Sequence, residues 1–367
     1  MYEKGKISSI QMALMMYPTV LATGFISLPT ISAQLAGNDF WMTGLFASVF
    51  GIITVLTVTR LHQLYPGMSV VQYSECIMGK WIGKLLGVTY FLFFTRITGI
   101  VVREYAEFVT HFLLTTPILL IMISILLLSG IAICNGVEVL ARSATIFTPI
   151  FVIPLFFLLF LLPDMEPGNL LPVLSHGIVP VLKGTAAPQA WLCELFLMTF
   201  FLPFLTDPGK SRKWGFLSLS AIVLSMTYVN LITLFVLGLD SGDKLYPILI
   251  AFRYIGLADF FENLEALLLV MWVAGNFIKI GIFLYASVHS FTQCLGISDH
   301  RPFVFPIAMF CLILGLWDFP NYSLVGSYLA AVVPFEVPLL LLLVPLILLA
   351  VSTLRRKHAA TEGGPST

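Results

Sequence analysis

Charge is what this sequence has least of. Only 10% of its 367 residues are Asp, Glu, Lys or Arg, whereas 59% are hydrophobic. Soluble domains carry about 25% charged and about 45–50% apolar residues. So few charges cannot cover a water-exposed surface of this size, which argues against a soluble enzyme, a nucleic-acid binder and a secreted disulfide scaffold. Cysteine is also sparse. Cys76, Cys134, Cys193, Cys294 and Cys311 are odd in number, scattered, and lack any C-x-x-C spacing. They read as small hydrophobes or inert thiols rather than metal ligands or a disulfide set. The six histidines show no ligand spacing; His62 and His300 fall in loops and His111 near the end of an apolar span. Ser-His-Asp sets, P-loops and glycine-rich phosphate loops are missing too. The expectation is therefore no enzyme, no metal and no cofactor. Apolar residues do not alternate with polar ones, which excludes a closed β-barrel.

What is present is long apolar runs. A membrane helix needs about 20 predominantly apolar residues, and ten stretches qualify: 8–35, 41–60, 82–112, 117–134, 139–162, 186–205, 215–238, 264–292, 303–318 and 333–353. The chain is expected to be an all-α polytopic membrane protein with a single transmembrane domain over 1–353, in halves of roughly 1–163 and 177–353. Met1 to Lys6 before an apolar run resembles a signal peptide, but the first run is interrupted by Gly and Pro and lacks a clean cleavage site, so it is expected to be retained. The tail 354–367 is polar and contains Gly and Pro, and is expected to be disordered and cytoplasmic.

Lys and Arg in the loops give the orientation. With the N-terminus in the cytoplasm, the inside regions hold Lys4, Lys6, Arg60, Lys80, Lys84, Arg142, Lys210, Arg212, Lys213, Arg301, Arg355, Arg356 and Lys357. The outside holds only Lys183, Lys244 and Arg253. Ten spans return the C-terminus to the cytoplasm. The remaining three cations, Arg96, Arg103 and Lys279, lie inside spans.

The first span contains Thr23-Gly24-Phe25-Ile26-Ser27-Leu28-Pro29. Proline removes a backbone donor and clashes with the preceding turn, and glycine tolerates non-helical backbone. The expectation is a discontinuous helix 1, with a plain proline kink as the simpler alternative. The sixth span carries Glu194 near its centre, after Pro188. Interrupted helices at matching positions of two five-span halves point to a transporter-type binding site, so helices 1 and 6 are both expected to be discontinuous.

The third span carries Arg96, Ile100, Arg103 and Glu107 on one face at spacings of four, three and four. Arg103 and Glu107 form a natural structural pair. Arg96 lies nearer mid-membrane and suits either a structural role or contact with a ligand. The eighth span carries Asn276 and Lys279 on one face; Ile278, Gly281 and Tyr285 share another, suited to lining a pocket or to helix packing. Charged residues at membrane depth are expensive and face the bundle interior or water. Lys279 suits three roles: counter-ion to Glu194, stand-in for a sodium ion, or proton carrier. Arg96 and Lys279 are expected to face one acid, Glu194, leaving one excess positive charge, or none if Lys279 is deprotonated.

Four segments together resemble one family. Lys6-Ile7-Ser8 through Gly24 to Leu28-Pro29 resembles its opening pattern; Leu64-Tyr65-Pro66 to Gly79-Lys80-Trp81-Ile82-Gly83 resembles its first inside loop. Arg103 and Glu107 followed by Thr116-Pro117 resemble the end of its third span. Glu194 with Pro203, and Ile278-Lys279 with Tyr285, resemble its sixth and eighth spans. The chain thus resembles the B subunits of spore germinant receptors, within the amino acid–polyamine–organocation superfamily. The resemblance implies a five-plus-five inverted-repeat fold. It implies an inner-spore-membrane location, A-type membrane and C-type lipoprotein partner subunits, and no nucleic acid. It also implies a small L-amino acid germinant such as alanine. The ligand site expected between helices 1, 3, 6 and 8 comprises Thr23, Gly24, Phe25, Ile26, Ser27, Ile97, Ile100, Leu192, Cys193, Glu194, Met198, Gly281 and Tyr285. A charge network of Arg96, Arg103, Glu107, Glu194 and Lys279 is expected around it. Donors near Ser27 and Leu28 would take the ligand carboxylate; carbonyls near Ala22–Gly24 and Trp191–Cys193 would take the ammonium. A proton-coupled amino-acid permease is the alternative.

Overall fold

A helix apolar on every side is stable only when lipid or other helices surround it. The computed structural model describes residues 5–255, 264–318 and 322–362, and these form such helices almost throughout. In chain order they are α1 (Ser9–Ala36), α2 (Thr43–Leu64), α3 (Val70–Met78), α4 (Lys80–Thr110), α5 (Ile118–Cys134) and α6 (Val137–Phe157). Then come α7 (Val179–Gly184), α8 (Ala186–Cys193), α9 (Ser211–Leu237), α10 (Pro247–Tyr254) and α11 (Glu265–Leu295). The last are α12 (Arg301–Trp317), α13 (Tyr322–Ala331), α14 (Val333–Pro338) and α15 (Val344–Glu362). Among the described residues, seven helical segments are long and apolar enough to cross a membrane. The first of these contains both α1 and α2, and α5 and α12 are shorter apolar helices. The ten spans are thus α1, α2, α4, α5, α6, the α7–α8 segment, α9, α11, α12 and the α14–α15 segment. Short α3, α10 and α13 pack alongside them.

Helix 1 differs from expectation. It runs unbroken from Ser9 to Ala36 with Pro18 and Pro29 inside it. Prolines are tolerated within membrane helices when neighbours satisfy the freed backbone groups. Pro18 deprives the Leu14 carbonyl of its helical donor, and the Thr148 hydroxyl of α6 donates to that carbonyl at 2.8 Å. The Ser218 hydroxyl of α9 donates to the adjacent Ala13 carbonyl at 3.0 Å. Two neighbouring helices thus hold the proline turn within the helix. The helix also continues through residues 24–29, where the break was expected, so no break creates orphan donors near Ser27 and Leu28.

The sixth span is interrupted. α8 ends at Cys193, and the chain tightens into 3-10 turns over Glu194–Phe200 and Leu202–Phe204. Three residues per turn bring i and i+3 side chains into line. The tenth span is also irregular: one π-helical turn, Leu339–Leu343, follows Pro338.

Small residues allow close helix approach in a membrane. A Cβ on Gly99 would lie 2.6 Å from the Cys311 carbonyl oxygen, and one on Gly315 would lie 2.6 Å from the Gly99 carbonyl oxygen, so α4 and α12 touch backbone to backbone. One end of the bundle gathers the start of α1 beside the end of the sixth span, through an Ile7–Leu205 bridge. The Cys294 thiol reaches the Lys84 carbonyl there. The other end gathers Gln34 with Gly242 and Asp39 with Leu174. These are called the N-terminal end and the far end below.

The tail expected to be disordered is helical through Glu362. Residues 354–362 contain neither Gly nor Pro and include two alanines, the best helix former, so the helix has no reason to stop before Gly363. Residues 363–367 lie outside the described residues.

Candidate functional site

Four spans deliver polar groups to one buried level. On α11, Lys279 is fully buried and places Nζ 2.9 and 2.8 Å from the two carboxylate oxygens of Glu194. Glu194 is the first residue of the 3-10 segment, so the break in the sixth span begins at the residue that holds the lysine. A buried ion pair offsets its desolvation cost only with close geometry, and contact through both oxygens provides it. The Lys279 ammonium also stands 5.3 Å from the Phe283 ring centre.

A second acid completes the level. Glu104 of α4 is 1% exposed and accepts a short hydrogen bond from the Ser27 hydroxyl of α1. It lies within electrostatic reach of both Lys279 and Glu194. Beside it, the Trp191 indole N–H donates to the Thr23 hydroxyl at 2.9 Å, tying α8 to α1. Asn276, fully buried one turn from Lys279, donates from Nδ2 to the Trp272 carbonyl at 3.1 Å.

Aromatic rings bracket this level along the bundle axis. Toward the N-terminal end, Phe94 of α4 meets Phe283 of α11 at 6.0 Å and Phe200 of the sixth span at 5.6 Å. Tyr90 stacks on Phe196 at 5.4 Å in the same cluster. Toward the far end, Phe108 stacks on Trp272 at 4.2 Å and meets Tyr246 edge-on at 5.2 Å.

The other anticipated residues disperse. Arg96 does not face Glu194. Its guanidinium bonds Asp318 beyond α12 at 2.9 Å, Glu336 of α14 at 3.3 Å and the Tyr328 hydroxyl of α13 at 3.0 Å. It also lies over the Tyr328 ring, 4.6 Å from its centre. The charged side chains of this cluster, Arg96, Asp318 and Glu336, are roughly a quarter to a third exposed, whereas Tyr328 is buried. Arg103 and Glu107 pair at 2.6 Å within α4. The expected lone acid at mid-depth is therefore corrected: Lys279 faces two carboxylates, and the level carries one excess negative charge with all three ionised. Leu192 lies against Gly51 of α2, Cys193 lies beside Thr54 of α2, and Met198 lies against Gly215 of α9. These three face away from the ion pair. Gly281 faces Leu140 of α6, whose Cδ2 would lie 2.7 Å from an added Cβ. Phe25 stacks on Phe151 at 5.9 Å and Tyr285 on Phe201 at 5.1 Å. Gly24 lies beside Trp191, while Ile26, Ile97 and Ile100 are buried in the surrounding core.

Glu104 was visible in the sequence, on a different face of α4 from Arg103 and Glu107. Once Arg103 is satisfied by Glu107, a neighbouring acid on another face must find its own partners inside the bundle. Asp318, just past α12, and Glu336, between Pro334 and Pro338 of the tenth span, are acids that sequence reasoning overlooked. Among the described residues, no cluster of three or more His, Cys, Asp or Glu side chains is arranged to hold a metal.

A helical bundle of ten spans with an interrupted sixth span and buried charges defines a multi-pass membrane protein with the fold that secondary transporters use. Solved structures share the fold. Mhp1, a nucleobase-cation-symport-1 family transporter, superposes with a TM-score of 0.71 at 10% identity, over 89% of this chain and 75% of that one. MhsT, solved in complex with L-phenylalanine, gives 0.68 at 13% identity, over 92% and 89%. The particular family is given by the sequence: the chain belongs to the spore germination protein family, whose model matches residues 6–323. It is 26% identical to spore germination protein KB of Bacillus subtilis (strain 168), over 99% of this chain and 98% of that protein. It is 30% identical to spore germination protein YndE of the same strain, over 80% and 81%.

Proposed function

We propose that this protein is the germinant-sensing membrane subunit of a spore germination receptor. It binds a small L-amino acid such as alanine at the buried level between α1, α4, the sixth span and α11. The observation that carries the reading is the Lys279–Glu194–Glu104 centre, closed at both ends by aromatic rings. Charges at that depth are costly and mark functional sites, and the rings make access conditional on a rearrangement. Ligand binding biases one arrangement of the helices over another, and partner subunits read the change. The relatives are spore germination proteins, and one neighbour of the same fold was solved with an amino acid bound; both support this reading. The partners are an A-type membrane subunit and a C-type lipoprotein. The location is the inner spore membrane, with both termini on the core side, as the loop cations favour. Its role is recognition, not catalysis.

Saturable protection against thermal unfolding by L-alanine or another small L-amino acid tests the binding; no protection by any of them rejects it. The buried acids and the transporter fold also favour a second reading, a proton-coupled amino-acid permease. Reconstituted liposomes separate the two: proton-driven uptake of labelled amino acid supports the permease, and binding without net flux supports the receptor.

A further inference from the structure

Two polar atoms beside the centre are buried and have no protein partner. The Asn276 Nδ2 bond to the Trp272 carbonyl sets the direction of the carboxamide, because a flipped amide would oppose two oxygens. Oδ1 is thus the free end, and no protein group donates to it. Trp272, one turn earlier and equally buried, has an indole N–H that donates to no protein group. Residues 272, 276 and 279 recur at spacings of four and three, so both atoms belong to the face of α11 that carries Lys279. A buried donor and a buried acceptor left unpaired are destabilising, and such groups in native proteins call for an explanation.

The helix register shows what they adjoin. α4 and α11 meet at Phe108–Trp272 and again at Phe94–Phe283, so they run in opposite directions between these contacts. One turn inward from the first contact are Glu104 on α4 and Asn276 on α11, at one level. α6 and α1 close the third side, since a Cβ on Gly275 would lie 2.5 Å from the Phe151 ring and 3.2 Å from the Ala22 Cβ. Lys279 is engaged by both oxygens of Glu194, whereas Glu104 takes its hydrogen bond from a neutral hydroxyl. The surroundings of Asn276 therefore favour a cation.

We propose that Asn276 Oδ1 accepts a hydrogen bond from the ammonium group of a bound α-amino acid, and that the Trp272 indole N–H donates to its carboxylate. The proposal rests on the ligand class read above and names the groups that recognise it. It also places the entrance at the Phe108–Trp272 stack, which must part for the ligand to reach them.

The test uses full-length protein in detergent, labelled L-alanine, and propionate as the amine-free competitor. Wild type is expected to bind L-alanine saturably and propionate at least tenfold more weakly. Asn276→Leu removes the acceptor at similar volume. Its affinity for L-alanine should fall on the order of tenfold, while its ligand-free melting temperature holds or rises. Trp272→Phe keeps the stack, removes the donor and should also weaken binding. Asn276→Ala repeats the test where leucine does not fit. Unchanged affinity in the Asn276 variants overturns the proposal and leaves the ligand class standing. A drop in ligand-free stability with binding intact would assign Asn276 a structural role instead. Absence of binding in wild type rejects the ligand class and this proposal with it.

Discussion

Replacing Lys279 by Met should destabilise the protein more than replacing either acid that faces it. The ammonium is 2.8 Å from Glu194, with side chains 1% and 9% exposed. At an effective dielectric of about 20, that separation corresponds to an attraction of about 6 kcal/mol. Removing one partner of a buried pair leaves the other charge uncompensated, at a net cost of about 3–5 kcal/mol. Lys279→Met leaves both Glu194 and Glu104 without their shared cation, so it belongs at the upper end of that range. Glu194→Gln leaves Lys279 with Glu104 nearby and should cost less. The double variant Lys279→Met/Glu194→Gln removes the pair together and should recover part of the loss. At about 2 °C per kcal/mol for a large chain, Lys279→Met should melt about 10 °C below wild type. Thermal unfolding in detergent, followed by intrinsic fluorescence or by size-exclusion chromatography after heating, measures all four proteins as a double-mutant cycle. A Lys279→Met protein that melts within a degree of wild type, or a double variant no better than the single one, would refute the reasoning.

Glu104→Gln retains an acceptor for Ser27 and removes one of two negative charges, so its melting temperature should match or exceed wild type. Glu104→Leu strands the buried Ser27 hydroxyl at a cost of about 1–3 kcal/mol, and equal melting of the two variants would contradict this. Gly99→Ala places a methyl 2.6 Å from the Cys311 carbonyl. It should cost about 1–3 kcal/mol by forcing α4 from α12, an effect absent if the protein melts as wild type. Gly24→Ala meets only ordinary contacts at 3.4 Å and beyond and should leave ligand binding intact. Gly24→Leu should push Trp191 off Thr23 and abolish the amino-acid response of spores while the receptor still assembles; a normal germination response would overturn this placement. Asp318→Asn loosens only the partly exposed Arg96 cluster and should cost about 1 kcal/mol or less, diminishing further in salt; a loss as large as that of Lys279→Met would be contrary to it.

The span count and the break in the sixth span were legible because membrane depth is written directly into composition: twenty apolar residues in a row have few other uses. Lys279 and Glu194 stood out for the same reason, as expensive charges in apolar surroundings. Helix 1 was not legible. A break was expected at residues 24–29, but prolines stay within a buried helix when neighbours satisfy the freed groups, and the group seen to do so at Pro18, the Thr148 hydroxyl, comes from 130 residues further along the chain. Arg96 was placed on a face of α4 correctly, but periodicity does not say which helix covers that face. Its partners come from the end of a short α12 and from α13 and α14, whose arrangement is tertiary.

The same limit explains the sign of the charge at the centre. Counting ionisable residues by depth paired Arg96 and Lys279 with Glu194 and left a positive excess, or none with Lys279 deprotonated. Distributing them by partner sends Arg96 to Asp318 and Glu336, Arg103 to Glu107, and Glu104 to Ser27 beside Lys279. Each step follows from the rule that a buried charge takes the nearest compensating group, yet with all three groups ionised the outcome reverses the sign. A positive centre would draw the carboxylate of an amino acid first, and a negative one draws its ammonium. For the amino-acid ligand proposed above, that reversal shifts the predicted recognition from the backbone of helix 1 to the side chains of α4 and α11, where Glu104 and the unpaired Asn276 oxygen stand level with each other.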